Sequence, residues 1–172
     1  MTNAEKHKYA YALTSVASTG FSFVEDSLFS MMNNKTDLLR LRSFYILLSY
    51  NFELVLKSRI TMIENFSDKR SLNDRLIRLG HDIQAIADIL GPNNLQELGI
   101  VNIKKESTQY KVTTTDNKEV LIEDFIKIRY DFLDDVVRFI NHREHERIKE
   151  SVDILVSILR KAKEKNEEAK TI

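Results

Sequence analysis

Two histidines toward the C-terminal end of the chain, His142 and His145, are three residues apart. On a helix this spacing places both imidazoles on one face, where they could bind a metal together with a carboxylate such as Glu144 or Glu146. The HExxH arrangement of zinc hydrolases is absent, however, and no third ligand is evident. We therefore expect no metal here and interpret the pair as solvated polar residues.

A second polar group, Gly80, His81 and Asp82, interrupts the apolar pattern of the stretch RLGHDIQAIADIL. Leu and Ile recur every three or four residues on both sides of the glycine without a change of phase, which predicts one continuous helix. A glycine inside a helix costs about 1 kcal/mol relative to alanine, so we expect Gly80 to allow close approach of a neighbouring helix. His81 would then hydrogen-bond to another helix, and Asp82 has ion-pair spacing to Arg78.

Several classes of chemistry have no support in the sequence. The chain contains no cysteine, which excludes disulfides, thiol catalysis and zinc–thiolate sites. No phosphate-binding glycine loop, dinucleotide fingerprint or GxSxG nucleophile motif occurs. The carboxylate pairs Glu123–Asp124 and Asp134–Asp135 are typical of helix surfaces, and the first pair suits a helix start. We therefore expect no cofactor.

The charge distribution leaves room for a limited basic surface. Net charge is zero, with 26 basic and 26 acidic residues, so the strongly basic composition of many nucleic-acid-binding proteins is absent. Residues 35–78 nevertheless carry an excess of basic side chains, whereas residues 116–135 are mainly acidic. Ordinary solvated helix faces explain this pattern. It is also explained by a phosphate-binding face that contains Arg75 and Arg78, or by a basic and an acidic face that dock on each other.

These residues must be positioned by helices, because the chain contains one proline and four glycines and its apolar residues recur at helical spacing. The pattern predicts a core helix that is apolar on two sides, which is typical of the centre of a bundle. Another helix starts at a Ser71 cap and ends at Gly91–Pro92. The predicted helices are 4–17 and 21–32, separated by a break at 18–20, the central helix 37–66, and then 71–90, 123–139 and 148–162.

The segment around residues 100–122 changes character, because it is rich in Val, Ile, Thr and Tyr and contains a polar centre at Asp116 and Asn117. This pattern predicts a β-hairpin inserted in a helical domain. We expect one mainly α domain, residues 1–172, that is a bundle of five or six helices with this hairpin and a charged, frayed tail at about 163–172. No signal peptide or membrane span is evident, and a cytoplasmic location is expected.

Three stretches together resemble the HEPN superfamily: NFELVLKSRI (51–60), LGHDIQAIADIL (79–90) and IRYDFLDDV (128–136). The resemblance extends from residue 41 to residue 139, about half of the chain. The hairpin and the N-terminal 35 residues depart from the family pattern. Its matching positions are Glu53, Leu54, Lys57, Gly80, His81, Asp82, Arg129 and Tyr130.

The resemblance implies a helical bundle, often dimeric, that cleaves RNA, binds RNA or nucleotides, or accompanies a nucleotidyltransferase in defence systems. RNA-cleaving members carry an Arg followed after four to six residues by a His, since His can transfer a proton and Arg can neutralise a phosphate. Arg129 has no His at that distance. Arg138 and His145 satisfy the spacing, and His142 is one residue too close to Arg138.

The resemblance and the residue pattern together favour an RNA- or nucleotide-binding, or partner-binding, module over an enzyme. We expect a homodimer, in a defence or toxin–antitoxin context, with ligand contacts from Arg75, Arg78, His81, Asp82, Arg129 and Tyr130. One alternative is a metal-independent endoribonuclease with Arg138, His142 and His145 as catalytic residues. The other is a structural dimer or adaptor.

Overall fold

The computed structural model describes residues 1–31, 38–100, 111–114, 117–121 and 145–171. This part of the chain is mainly α, as predicted. None of its helices combines the length and apolar character needed to cross a membrane. In chain order the elements are α1 (Asn3–Met31), α2 (Leu38–Ile63), α3 (Lys69–Arg78), α4 (Ile83–Glu97), β1 (Lys111–Thr113), β2 (Glu119–Leu121) and α5 (His145–Lys170).

Helix α2 is the centre of the bundle, as its apolar pattern predicts. It packs against α1, α4 and α5, and every residue from 51 to 62 is buried. The core includes Phe52, Leu56 and Ile60 from this helix. The same buried stretch contains the charged residues Glu53 and Lys57, which must be paired because an isolated charge inside a protein is costly.

Helix α1 is continuous, so the break predicted at 18–20 is wrong. Gly20 lies in the helix where α1 meets α2, and a Cβ atom placed on it would clash with the Asn51 side-chain amide. The Asn51 amide is fixed there because it donates to the Leu47 carbonyl oxygen at 2.8 Å. The glycine therefore permits close approach of the two helices and does not end the first one.

The continuous helix predicted through residues 79–82 is also wrong. Helix α3 ends at Arg78, Gly80 has a left-handed φ of 59°, and α4 begins at Ile83. The Asp82 side chain caps α4 by accepting a hydrogen bond from the Ala85 amide at 2.9 Å. We name residues 79–82 the α3–α4 elbow. Among the described residues other than its chain neighbours, none has a heavy atom within 4 Å of a Cβ built on Gly80, so this glycine provides a turn and not a packing site.

The start of α3 differs from the prediction by three residues. The N-cap is Asp68, whose carboxylate accepts from the Ser71 amide at 2.8 Å. Ser71 is the reciprocal member of this capping box, because its hydroxyl accepts from the Asp68 amide at 3.2 Å. Ser71 thus indicates where the helix begins, but it lies in the first turn of α3 and is not the N-cap.

The ends of α4 and α5 refine two further predictions. Gly91, at φ 72°, interrupts α4 before Pro92, which is where the sequence predicts an end, although helical structure resumes up to Glu97. Helix α5 continues to Lys170, so the prediction of a frayed tail is wrong. The tail is held because Ala162 and Asn166 are buried and Glu167 Oε1 pairs with His7 Nε2 of α1 at 2.7 Å.

Strands β1 and β2 pair antiparallel, with Val112 opposite Val120. They lie within the segment 100–122, for which the sequence predicts an inserted hairpin. The predicted helix 123–139 falls outside the described residues.

Candidate binding site between helix α2 and the α3–α4 elbow

A cluster of three charged or polar side chains joins α2 to the elbow. Lys57 Nζ lies 2.6 Å from Glu53 Oε1 and donates to the Gly80 carbonyl oxygen at 2.6 Å. His81 Nδ1 lies 3.0 Å from Glu53 Oε2 and 3.2 Å from Oε1. The cross-helix hydrogen bond predicted for His81 is therefore present, although the histidine lies in a turn and not in a helix.

The sequence builds this cluster through two local features. Glu53 and Lys57 are four residues apart on α2, so they share a face and form an ion pair. Gly80 adopts the left-handed conformation that ends α3, which turns its carbonyl oxygen toward Lys57 and brings His81 over Glu53. The triplet Gly80–His81–Asp82 thus stops one helix, contacts α2 and starts the next helix.

Burial differs sharply within the cluster. The side chains of Glu53 and Lys57 are 1% and 9% exposed, whereas that of His81 is 53% exposed. The Lys57 ammonium balances the charge of the buried carboxylate, and both Glu53 oxygens accept hydrogen bonds. The buried Glu53–Lys57 ion pair therefore holds the half-exposed His81 imidazole in one orientation. This arrangement is typical of a preorganised recognition site.

The cluster forms one wall of a pocket of about 310 Å³ between α1, α2 and α3. This volume is at the lower end of the range of small-molecule sites, which are mainly apolar and contain a few oriented polar groups. Two of its side chains are partly exposed apolar or aromatic groups, Tyr50 at 37% and Ile77 at 68%. The pocket is lined by Leu13, Tyr50, Glu53, Leu54, Lys57, Leu76, Ile77, Gly80 and His81.

The two arginines predicted to contact a ligand have different surroundings. Arg75 makes a bidentate ion pair with Glu64, with Nε–Oε2 and Nη2–Oε1 distances of 2.9 and 2.7 Å. Hydrogen bonding to Glu64 raises the pKa of the Arg75 guanidinium, and the pair links α3 to the end of α2. Arg78 is exposed and its Nε donates to the Asp74 carbonyl oxygen at 3.2 Å. Arg78 follows the pocket residue Ile77 in the chain. The Arg75 guanidinium is instead occupied by its ion pair with Glu64.

Of the other predicted site residues, Asp82 is described and is not among the residues that line this pocket. Asp82 caps α4. Arg129, Tyr130, Arg138 and His142 lie outside the described residues, and His145 is described only as the first residue of α5. The proposed Arg138–His145 catalytic pair therefore stays a prediction. Within the described ranges, no group of three or more His, Asp or Glu side chains could hold a metal ion.

Comparison of the chain with protein-family models, with curated proteins and with solved structures finds no match.

The sequence prediction missed several pocket residues. Glu53 and Lys57 entered it only as positions of the resemblance, although two charged residues four apart in an otherwise buried stretch are a signal of a paired polar cluster. Tyr50 and Ile77 gave no signal, because an aromatic or aliphatic residue on a helix is normally interpreted as core. Their exposure depends on how α3 meets α2, which helical periodicity does not report.

Proposed function

We propose that this chain is a HEPN-like helical module that binds single-stranded RNA by taking one base into the pocket between α2 and the α3–α4 elbow. The observation that carries the proposal is the Glu53–His81 contact, which holds a half-exposed imidazole at the mouth of a mainly apolar pocket. Four positions of the HEPN resemblance, Glu53, Lys57, Gly80 and His81, meet at this place, which supports the assignment.

A nucleobase fits this pocket better than a phosphate does. Lys57 is the one lysine among the described lining residues, and it is paired with Glu53, so this part of the lining offers no uncompensated cation. Its apolar walls and the faces of Tyr50 and His81 suit a flat ring, and stacking of a base on an aromatic side chain contributes about 1–3 kcal/mol. The base edge would meet the oriented imidazole, as bases in single-stranded RNA commonly meet polar side chains.

Phosphate contacts belong outside the pocket in this proposal. Arg78 is exposed, and it follows Ile77, a pocket residue, at the end of α3. With zero net charge on the chain, few phosphates are neutralised, so the salt dependence of binding is shallow, about −0.7 in log K per log salt for each contact to a single strand. The proposal includes a cytoplasmic homodimer that accompanies a nucleotidyltransferase or acts in a defence or toxin–antitoxin system.

The test is fluorescence anisotropy of a labelled single-stranded RNA of mixed sequence with the wild-type protein, His81→Ala and His7→Ala, in EDTA. His7→Ala is the matched control, because His7 also contacts a glutamate but joins α1 to α5. We expect binding that is weakened by His81→Ala and retained by His7→Ala. Equal binding by all three proteins, or no binding of RNA, contradicts the proposal. Capture of a protein partner at the same pocket would favour the adaptor alternative, and RNA cleavage the nuclease alternative.

A further inference from the structure

One face of α1 is exposed to solvent and yet carries no charge over much of its length. Residues 9–24 contain no charged side chain, although charged residues make up 30% of the chain. The inner side of this stretch packs in the core through Ala17 and Phe21. On the outer side, Val16 and Phe23 are 53% and 57% exposed. The outer face of a surface helix is normally charged and polar, so this face is suited to contact with another surface.

The exposed side chains form one stripe that ends in charges of opposite sign. Its members recur every three or four residues, which places them on one side of the helix, and all of them are exposed. Lys8 and Asp26 are separated by about five full turns of helix, so the two charged side chains point in the same direction. We name as the α1 outer stripe the residues Lys8, Ala12, Val16, Thr19, Phe23 and Asp26.

The α1 outer stripe is complementary to a second copy of itself that runs in the opposite direction. When two such helices face each other about a two-fold axis near Ala17, Lys8 of each copy meets Asp26 of the other. Ala12 then meets Phe23 of the other copy, so a small side chain leaves space for a large one. A parallel arrangement would instead bring Lys8 against Lys8 and Asp26 against Asp26, and like charges in contact repel each other.

We propose that two copies of this chain associate through their α1 outer stripes in antiparallel orientation. The proposal gives a surface to the homodimer of the proposed function and rests on that part of it. The charges at the ends fix the direction and the register of the two helices. The uncharged centre, with Val16 and Thr19 in the middle, can be covered without burial of a charge. Because the pocket between α2 and the elbow is formed within one chain, it does not depend on this contact.

Reversal of the charge at one end of the stripe tests the arrangement. In Lys8→Glu each end of the dimer brings two carboxylates together, and in Asp26→Lys each end brings two ammonium groups together. Either variant alone should therefore raise the dissociation constant of the dimer about tenfold or more, as measured by sedimentation velocity over a concentration series. Lys149→Glu, which reverses an exposed lysine of α5, is the matched control and should leave the dissociation constant unchanged.

A mixture of the two charge variants in equal amounts should restore association. In a dimer with one Lys8→Glu chain and one Asp26→Lys chain, the two substituted residues face each other and the two original residues face each other, so opposite charges meet at both ends. The mixture should dimerise about as tightly as the wild type, whereas each variant alone dimerises more weakly. A mixture no tighter than its separate components, or single variants that dimerise as the wild type does, overturns the inference.

The centre of the stripe is tested by Phe23→Asp, which places a carboxylate in the uncharged contact twice in each dimer. This variant should weaken the dimer about hundredfold or more. Ile89→Asp, at a position of α4 that is 42% exposed, is the control and should dimerise as the wild type does. Phe23 also packs edge-on against Phe44, so circular dichroism checks that the variant keeps its helices.

The outcomes separate this inference from the proposed function. A folded Phe23→Asp protein that dimerises as tightly as the wild type overturns the α1 contact. A wild type that is monomeric at micromolar concentration overturns both the contact and the proposed homodimer, but RNA that still binds to that monomer leaves the pocket of the proposed function in place.

Discussion

At the scale of single residues, the buried Glu53–Lys57 pair allows a specific prediction about stability. Breaking a buried ion pair by removing one partner costs about 3–5 kcal/mol, because the remaining charge stays buried. Lys57→Met should therefore lower the free energy of unfolding by about that amount in urea titrations. It should also release the Gly80 carbonyl oxygen from α2 and so loosen the elbow.

Two further variants control this prediction. Lys165→Met removes an exposed Lys–Glu pair of the same type, 2.7 Å apart, and should change stability little. The double variant Glu53→Leu/Lys57→Met removes both charges together and should recover much of the loss. If Lys57→Met and Lys165→Met proved equally mild, the buried pair would not be what holds the elbow to α2.

Gly20 and Gly80 exchange the roles that the sequence predicts for them, which gives a second residue-scale prediction. Gly20→Ala places a Cβ against the Asn51 amide, and overpacking of this kind costs about 1–3 kcal/mol. This cost should exceed the gain of about 1 kcal/mol in helix propensity, so the variant should be less stable in thermal and urea unfolding. Relief of the loss by Asn51→Ala would identify the clash as its cause. A more stable Gly20→Ala protein would contradict this account of the α1–α2 contact.

At the scale of elements, the sequence predicts which residues are buried better than it predicts where helices end. Leu79 and Ile83 both belong to the core, and their spacing continues the pattern of α3 into α4. The chain nevertheless turns between them, because periodicity reports burial and not backbone conformation. The informative signal was Gly80 followed two residues later by Asp82, a helix stop and then a helix cap. In α1 the opposite error occurs, because the sequence predicts a break at Ser18, Thr19 and Gly20 but the helix continues through them. Packing against α2 holds this stretch helical.

The cap of α3 makes an element-scale prediction with a defined pH dependence. Its hydrogen bond from the Ser71 amide lowers the pKa of the Asp68 carboxyl from its ordinary value of 3.8. The ionised cap therefore stabilises the fold fully above about pH 4, and the contribution is lost as pH falls through the lowered pKa. Asp68→Asn keeps a cap that does not titrate. Below pH 4 the stability of the wild type should consequently approach or fall below that of Asp68→Asn.

Urea unfolding midpoints of the wild type and of Asp68→Asn, measured between pH 3 and pH 6, test the predicted direction of this pH dependence. Subtraction of one profile from the other removes the acid sensitivity that they share. A constant difference across that range would show that the Asp68 carboxylate does not contribute through this cap.

At the scale of the whole molecule, the mainly helical bundle and its central helix α2 follow from composition and periodicity, whereas the pocket does not. The pocket requires three helices to meet at one place, and only His81 and its cross-helix hydrogen bond were predicted among its side chains. Glu53 and Lys57 could have been selected as paired charges in a buried stretch, but their link to the Gly80 carbonyl oxygen depends on an elbow that the periodicity concealed.

The association state is a further whole-molecule prediction. Several large apolar side chains in the described helices remain exposed, including Tyr11, Phe29 and Ile77, and two-fold dimers are the commonest oligomers. Sedimentation equilibrium at micromolar concentration should give about twice the chain mass of 20.1 kDa. A monomer at that concentration would remove the proposed homodimer without affecting the pocket, which is formed within one chain.

Binding of a base between α2 and the elbow is tested by methyl NMR of the isoleucine- and leucine-labelled protein during titration with a short single-stranded RNA of mixed sequence. The methyl resonances of Leu54, Leu76 and Ile77, which line the pocket, should shift together and saturate. Those of Ile154 and Ile158 in α5, which do not line the pocket, should stay in place. Saturable shifts confined to α5, or no shifts at millimolar RNA, would contradict binding of a base between α2 and the elbow.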